Sequence, residues 1–256
     1  MIVLLCAFLK QYRQSKLYFS SEYMRRIAII PARGGSKRIP NKNVRDFCGK
    51  PMIAHIIEAA SESGLFEVIH VSTDSEAIAN VAQQLGFPPA FLRPAVLADD
   101  FTPIMPVLKY VTEVFEKSGQ IFDQVWMLMA CAPLIAACDL VAADKLFLES
   151  DGKSPLLAVT EYSVPIEWAF RREDDGHLVP VHPGSFSLRS QDIEKKYFDA
   201  GSFSIFPTYA VQSSKGAGSD QGFIGYILPK GTAIDIDDER DWILAEAIYS
   251  RIRGVS

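Results

Sequence analysis

The chain has 256 residues, 48% of them apolar, which is enough to bury a full α/β core in one large domain. Its formal net charge of -5 excludes a general duplex-binding surface, which needs a wide basic face, but leaves room for a local anion site. Cys6, Cys48, Cys131 and Cys138 show no Cys-x-x-Cys spacing, so neither a zinc ribbon nor a disulfide framework is expected, and a reducing cytoplasm is the default compartment.

The opening run Ile2-Val-Leu-Leu-Cys-Ala-Phe-Leu9 is too short to span a bilayer, which takes about 20 apolar residues. No Lys or Arg precedes it and no small-residue cleavage site follows, so it does not read as a signal peptide or a membrane contact. Residues 1–23 are read as an extension outside the fold, and residues 24–256 as one domain. The first strand is expected at Arg26 to Ile30. Pro51 then opens a helix whose stripe of Met52, Ile53, Ile56, Ile57 and Ala60 ends near Gly64. A strand at Val68 to Ser72, a helix from about Ser75 to Leu85 and a short strand near Ala90 follow. Next come a helix from Ile104 to Lys117, a strand from Gln124 to Met129, a helix from Asp139 to Leu148 and a strand from Pro155 to Thr160. This alternation predicts a doubly wound, mostly parallel, Rossmann-like α/β sheet covered on both faces. The periodicity weakens between Tyr162 and Tyr197. There Arg171-Arg-Glu-Asp-Asp-Gly176-His reads as a hairpin turn between two short strands, which on composition alone can be an ordinary surface excursion.

The most informative segment is Ile27-Ala-Ile-Ile-Pro-Ala-Arg33-Gly34-Gly35-Ser36-Lys37-Arg38-Ile39-Pro40-Asn41-Lys42-Asn43, an apolar strand running into a flexible cationic loop. Two glycines let backbone N–H groups approach an anion, and Arg33, Lys37, Arg38 and Lys42 surround the same place with positive charge. A nucleoside triphosphate is a natural guest, the plain alternative being a solvated basic turn. The loop is not a Walker A motif, because Ser-Lys-Arg follows Gly35, and the three spaced glycines of a dinucleotide fingerprint are absent. A second site lies at Ala233-Ile-Asp235-Ile-Asp237-Asp-Glu-Arg-Asp241-Trp. In an extended strand Asp235 and Asp237 would face one side and Ile234 and Ile236 the core, a carboxylate pair of the kind that holds Mg²⁺. Asp238 and Asp241 fit a helix N-terminal cap, and both readings can hold together.

These two sites fall in one ordered series with Phe47-Cys-Gly-Lys-Pro51, Val71-Ser-Thr-Asp74, Arg93-Pro94, Asp99-Asp100-Phe101-Thr102, Arg189-Ser-Gln191-Asp192 and Asp199-Ala-Gly201. The series resembles the CMP-sugar-acid synthetases, the cytidylyltransferases that activate nonulosonic acids, over about residues 26 to 252. Ser-Lys-Arg-Ile-Pro and the Arg189 to Gly201 stretch look most like the family members that use pseudaminic acid.

The resemblance implies a nucleotidyltransferase fold with CTP and a nonulosonic acid as substrates. CMP would pass to the anomeric hydroxyl of the sugar acid, pyrophosphate would leave, and Mg²⁺ would serve as cofactor. It implies catalytic roles for Arg33, Lys42, Asp235 and Asp237, with both aspartates on the metal. Nucleotide contacts are expected from Ala32, Gly34, Gly35, Ser36, Lys37, Ser72 and Arg93. Sugar contacts are expected from Arg189, Gln191, Asp192 and Asp199, although Arg189 could equally pair with Asp192 or Glu194. An inserted arm, residues 162–200, would pack against a second subunit and make a homodimer. One departure is Met129, in Met129-Ala-Cys-Ala-Pro133, where neuraminic acid enzymes carry glutamine; it favours a more apolar sugar. The rivals are the same reaction on neuraminic or legionaminic acid, and a nucleotide-binding protein of this scaffold without catalysis.

Overall fold

The computed structural model describes residues 24–150, 152–216 and 222–254, so the apolar opening and its reading as an extension lie outside the described residues. Strand β1 (Arg26–Pro31) is buried on both faces, with Ile27 and Ile29 entering one core and Ala28 and Ile30 the other. That two-sided burial explains its unbroken apolar run. Parallel neighbours flank it, β4 (Val68–Ser72) at the sheet edge and β5 (Gln124–Leu128) inward. The sheet continues through β9 (Tyr197–Pro207) and β6 (Leu156–Glu161) to β10 (Ile224–Ile227). β9 runs antiparallel to both its neighbours, while β10 pairs with β6 in parallel. The expected mostly parallel α/β sheet is therefore present.

Helices α1 (Met52–Ser63), α2 (Glu76–Gln84) and α4 (Ala137–Glu149) cover one face, closing a core around Trp126, Phe147 and Phe203. Helices α3 (Ile104–Lys117) and α5 (Thr208–Ser213) cover the other. Helix α6 (Glu239–Arg253) adds a third cluster, in which Trp242, Ala245 and Tyr249 meet Phe47, Ile236 and Ile39 of the cationic loop. A small ribbon, β2 (Asp46–Phe47) with β3 (Lys50–Pro51), delivers Phe47 there. Asp238 caps α6, accepting from the N–H groups of Arg240 (2.8 Å) and Asp241 (3.1 Å), as the sequence suggests.

Two expectations are corrected. No strand forms near Ala90: Pro88, Pro89 and Pro94 remove ladder donors, and Arg93 makes a single backbone bond to the Thr73 carbonyl at 2.7 Å. Nor do Asp235 and Asp237 lie in a strand. Their segment is irregular, yet Ile236 is fully buried between them, so the alternation survives without a pairing partner. The expected hairpin does form, β7 (Phe170–Arg172) against β8 (Leu178–Pro180), on an arm that exposes Leu178, Val181, Phe186 and Leu188.

His70 on β4 sits 2% exposed between the rings of Phe91 and Phe115, with no hydrogen-bond partner for either ring nitrogen. Burial drives its pKa down from 6.5 to about 4. The unfolded chain takes up a proton near its ordinary pKa and the folded chain does not, so stability falls as pH drops from about 6.5 toward 4. Urea melts should show the loss between pH 7.5 and 5 shrinking by about 2 kcal/mol in His70→Leu. An unchanged pH slope would mean that His70 is protonated in the fold.

Candidate active site

β1 ends at Pro31, and the chain leaves the sheet's carboxyl edge through the cationic loop, where open α/β sheets place their ligands. Gly34 is required there: a Cβ would stand 2.9 Å from the Ser75 Cβ. Its N–H donates to Asp74 Oδ1 at 3.0 Å, tying the loop to the end of β4. A Cβ on Gly35 would meet nothing within 4 Å, so that position faces open space. Asn43 reaches back to the Arg33 carbonyl at 3.2 Å, and buried Ile39 pins the far end of the loop in the third cluster.

The loop forms one wall of a cleft of about 490 Å³. Arg33, Ser36, Lys37, Arg38 and Lys42 line it with Asn43. Arg93, Asp99, Asp100, Thr102, Met129 and Cys131 stand opposite. Arg33 Nη1 lies 2.5 Å from Asp100 Oδ1 and donates to the Asp99 carbonyl at 3.0 Å, and Lys37 pairs with the other oxygen of Asp100. Arg38 Nη2 is 2.7 Å from Asp237 Oδ1, and Lys42 Nζ donates to the Ile236 carbonyl at 2.7 Å. The loop and the Asp235–Asp237 segment, about two hundred residues apart in sequence, thus form one site.

Arg93 is 6% exposed, and its Nε and Nη2 have no hydrogen-bond acceptor in the protein. Its nearest carboxylate, Asp74, stands 4.0 Å away, and burial lowers the guanidinium pKa against that attraction. A buried cation with unmet donors at a cleft wall is suited to an acceptor on a ligand. Ser72 is fully buried with an unpartnered hydroxyl but does not line the cleft. Ala32 is buried too, its N–H committed to the Ser72 carbonyl at 2.9 Å.

Partial desolvation, reinforced by Asp237, pushes the Asp235 carboxyl above its ordinary pKa, with Lys42 and Arg38 opposing and Asp199 adding to the rise. Two hard carboxylates in mutual repulsion fit a small dication, which would relieve that repulsion and still take substrate oxygens. Among the described residues no group of three or more His, Cys, Asp or Glu is placed to hold a metal, so the pair is the candidate. Gly201, at φ 60°, brings its backbone against Asp235, and its N–H donates to Asp199 Oδ1 at 2.9 Å.

Asp199 lines a second cleft of about 720 Å³ that shares Ile104 with the first and has Tyr209 and Phe223 in its wall. The other expected sugar contacts are not brought there. Arg189 grips Asp192 through two hydrogen bonds of 2.7 and 3.1 Å on the exposed arm, and Gln191 lies beside it on the turn Ser190–Asp192. Within one chain none of the three reaches either cleft. Asn43 and Asp74 were not singled out by sequence reasoning for their site roles. Asp74, the acidic residue just past the end of β4, carried the available signal.

A family model described as cytidylyltransferase matches residues 27–114. Pseudaminic acid cytidylyltransferase of Campylobacter jejuni is 36% identical over 226 residues, spanning 88% of this chain and 97% of that protein. The chain belongs to the cytidylyltransferase family. This cytidylyltransferase is also 34% identical over 231 residues to CMP-N,N'-diacetyllegionaminic acid synthase of Legionella pneumophila, covering 88% of this chain and 96% of that one. N-acylneuraminate cytidylyltransferase of Escherichia coli is 28% identical over 225 residues, 88% of this chain and 52% of that one. Among solved structures, CMP:2-keto-3-deoxy-manno-octonic acid synthetase complexed with CTP superposes with a TM-score of 0.66 at 16% identity, over 89% of this chain and 99% of that one. That likeness establishes the nucleotidyltransferase fold.

Proposed function

We propose that this cytidylyltransferase transfers CMP from CTP to the anomeric hydroxyl of a nonulosonic acid, pseudaminic acid foremost, and releases pyrophosphate. The observation that carries the reading is the convergence of the four loop cations on one cleft, with Arg93 and its unmet donors in the wall and Asp235 and Asp237 tied to the same loop. Arg93 would meet an acceptor atom on the nucleobase. Arg33, Lys37 and Arg38 would neutralise the polyphosphate and hold it in line for displacement at the α-phosphorus, a reaction that asks chiefly for alignment and charge. Lys42 fixes the Asp235–Asp237 segment against the loop. Mg²⁺ on Asp235 and Asp237 would supply further neutralisation of the phosphate oxygens.

Because Arg189, Gln191 and Asp192 lie on an arm rich in exposed apolar side chains, the proposed assembly is a homodimer in which the arm reaches a second copy. A cytoplasmic setting suits Cys48, Cys131 and Cys138, which are all unpaired. Among the described residues no helix is long and apolar enough to cross a membrane.

For the sugar, the thioether of Met129 lines the cleft where a polar group would be needed to meet a substrate hydroxyl. An unpaired desolvated hydroxyl costs about 1–3 kcal/mol, so kcat/KM for pseudaminic acid should exceed that for neuraminic acid by about tenfold or more. Side-by-side assays of pseudaminic, neuraminic and legionaminic acids test this. Equal efficiencies would remove the sugar assignment and leave CMP transfer standing.

A further inference from the structure

Asp100 has no part in the proposed chemistry, yet its carboxylate stands among the loop cations of the cleft. Its Oδ1 is 2.5 Å from Arg33 Nη1 and its Oδ2 pairs with Lys37 Nζ, so one carboxylate spans both cations. Among the described residues it is the only carboxylate paired with either, since Arg38 is held by Asp237 and Lys42 by the Ile236 carbonyl. The turn that presents it is built locally: Asp99 Oδ1 accepts from the N–H groups of Phe101 (2.9 Å) and Thr102 (2.6 Å), which aims Asp100 back into the cleft. Nothing packs over the tip of that turn, where Phe101 is 89% exposed. Lys37 first and Arg33 second hold the Asp100 carboxyl below its ordinary pKa, so it is charged at neutral pH.

We propose that Asp100 is an internal competitor for the polyphosphate, occupying Arg33 and Lys37 between turnovers and returning to them as pyrophosphate leaves. The inference rests on the assignment of this cleft to a nucleotide. A carboxylate brings one negative charge to the two cations, whereas a pyrophosphate group brings at least two, so the ligand wins. It wins, however, with an affinity lowered by the two ion pairs it must break. Exposed pairs are weak, which makes the contact displaceable rather than a block. The consequence is an affinity-setting role: Asp100 keeps the leaving group from lingering on the site that has just expelled it.

The test is calorimetric titration of the full chain and of Asp100→Asn and Asp100→Ala with inorganic pyrophosphate, without divalent metal. Cytidine, which carries no phosphate, is the control ligand. Both variants should bind pyrophosphate about three- to tenfold more tightly than the parent while cytidine affinity stays the same. Unchanged or weaker pyrophosphate binding in both variants would overturn the proposal. Equal tightening of cytidine would overturn it too, since it would indicate a general opening of the cleft. If the parent fails to bind cytidine, the nucleotide assignment fails, and the pyrophosphate titration still decides the role of Asp100.

Discussion

Asp235→Asn is expected to lower the rate of pyrophosphate release by about 100-fold or more while leaving the thermal midpoint unchanged or slightly raised. The two halves of that expectation have one origin. Asp235 is held partly desolvated beside Asp237, which disfavours its charged form, a cost that a bound dication would relieve. The neutral amide removes the repulsion with Asp237 and a hard anionic ligand at the same time. Ile236, which anchors the segment, is untouched and fully buried. Calorimetric titration with Mg²⁺ supplies a readout independent of turnover: heat of binding should be lost in the variant. Turnover equal to the parent at saturating Mg²⁺ would remove Asp235 from the site.

Arg33→Ala should cost about 100-fold or more in kcat, with a smaller loss in CTP affinity. Negative charge grows on the departing pyrophosphate as its bond to the α-phosphorus breaks, and a guanidinium fixed in the cleft stabilises that charge more than it stabilises bound CTP. Arg33 is well placed for this, because Gly34 behind it is locked to Asp74 and Asn43 holds its carbonyl. Arg33→Lys should recover only part of the rate, since a point charge cannot reproduce the planar fork. Should Arg33→Ala raise the CTP requirement at full kcat, Arg33 would be a binding residue only.

The elements legible in the sequence were those whose signal is local. Helix α3 shows its apolar stripe and β4 its short apolar run without reference to the rest of the chain, and both lie where the periodicity puts them. β9 was missed because Ala200 to Pro207 is mostly buried on both faces, so it has no alternation to betray it, and its strand character comes from β5 and β6 beside it. The strand placed near Ala90 failed for the opposite reason, a short apolar signal overruled by the surrounding prolines. At the site, the cationic loop and the aspartate pair could each be read separately. Their union follows only from the family resemblance and not from the residues themselves, because the 2.7 Å bonds from Arg38 to Asp237 and from Lys42 to Ile236 join segments about two hundred residues apart, with α6 packed over Ile39. For Arg189 the sequence leaves a sugar contact and a pair with Asp192 or Glu194 both open, and within one chain the fork goes to Asp192.

The central claim, CMP transfer from CTP to a nonulosonic acid, is tested most directly by phosphorus NMR of the purified protein incubated with CTP, Mg²⁺ and pseudaminic acid. The expected spectrum shows CTP resonances replaced by pyrophosphate and one phosphodiester signal in equal amounts, dependent on the sugar acid. CTP left intact with pseudaminic, legionaminic and neuraminic acids alike would contradict the account.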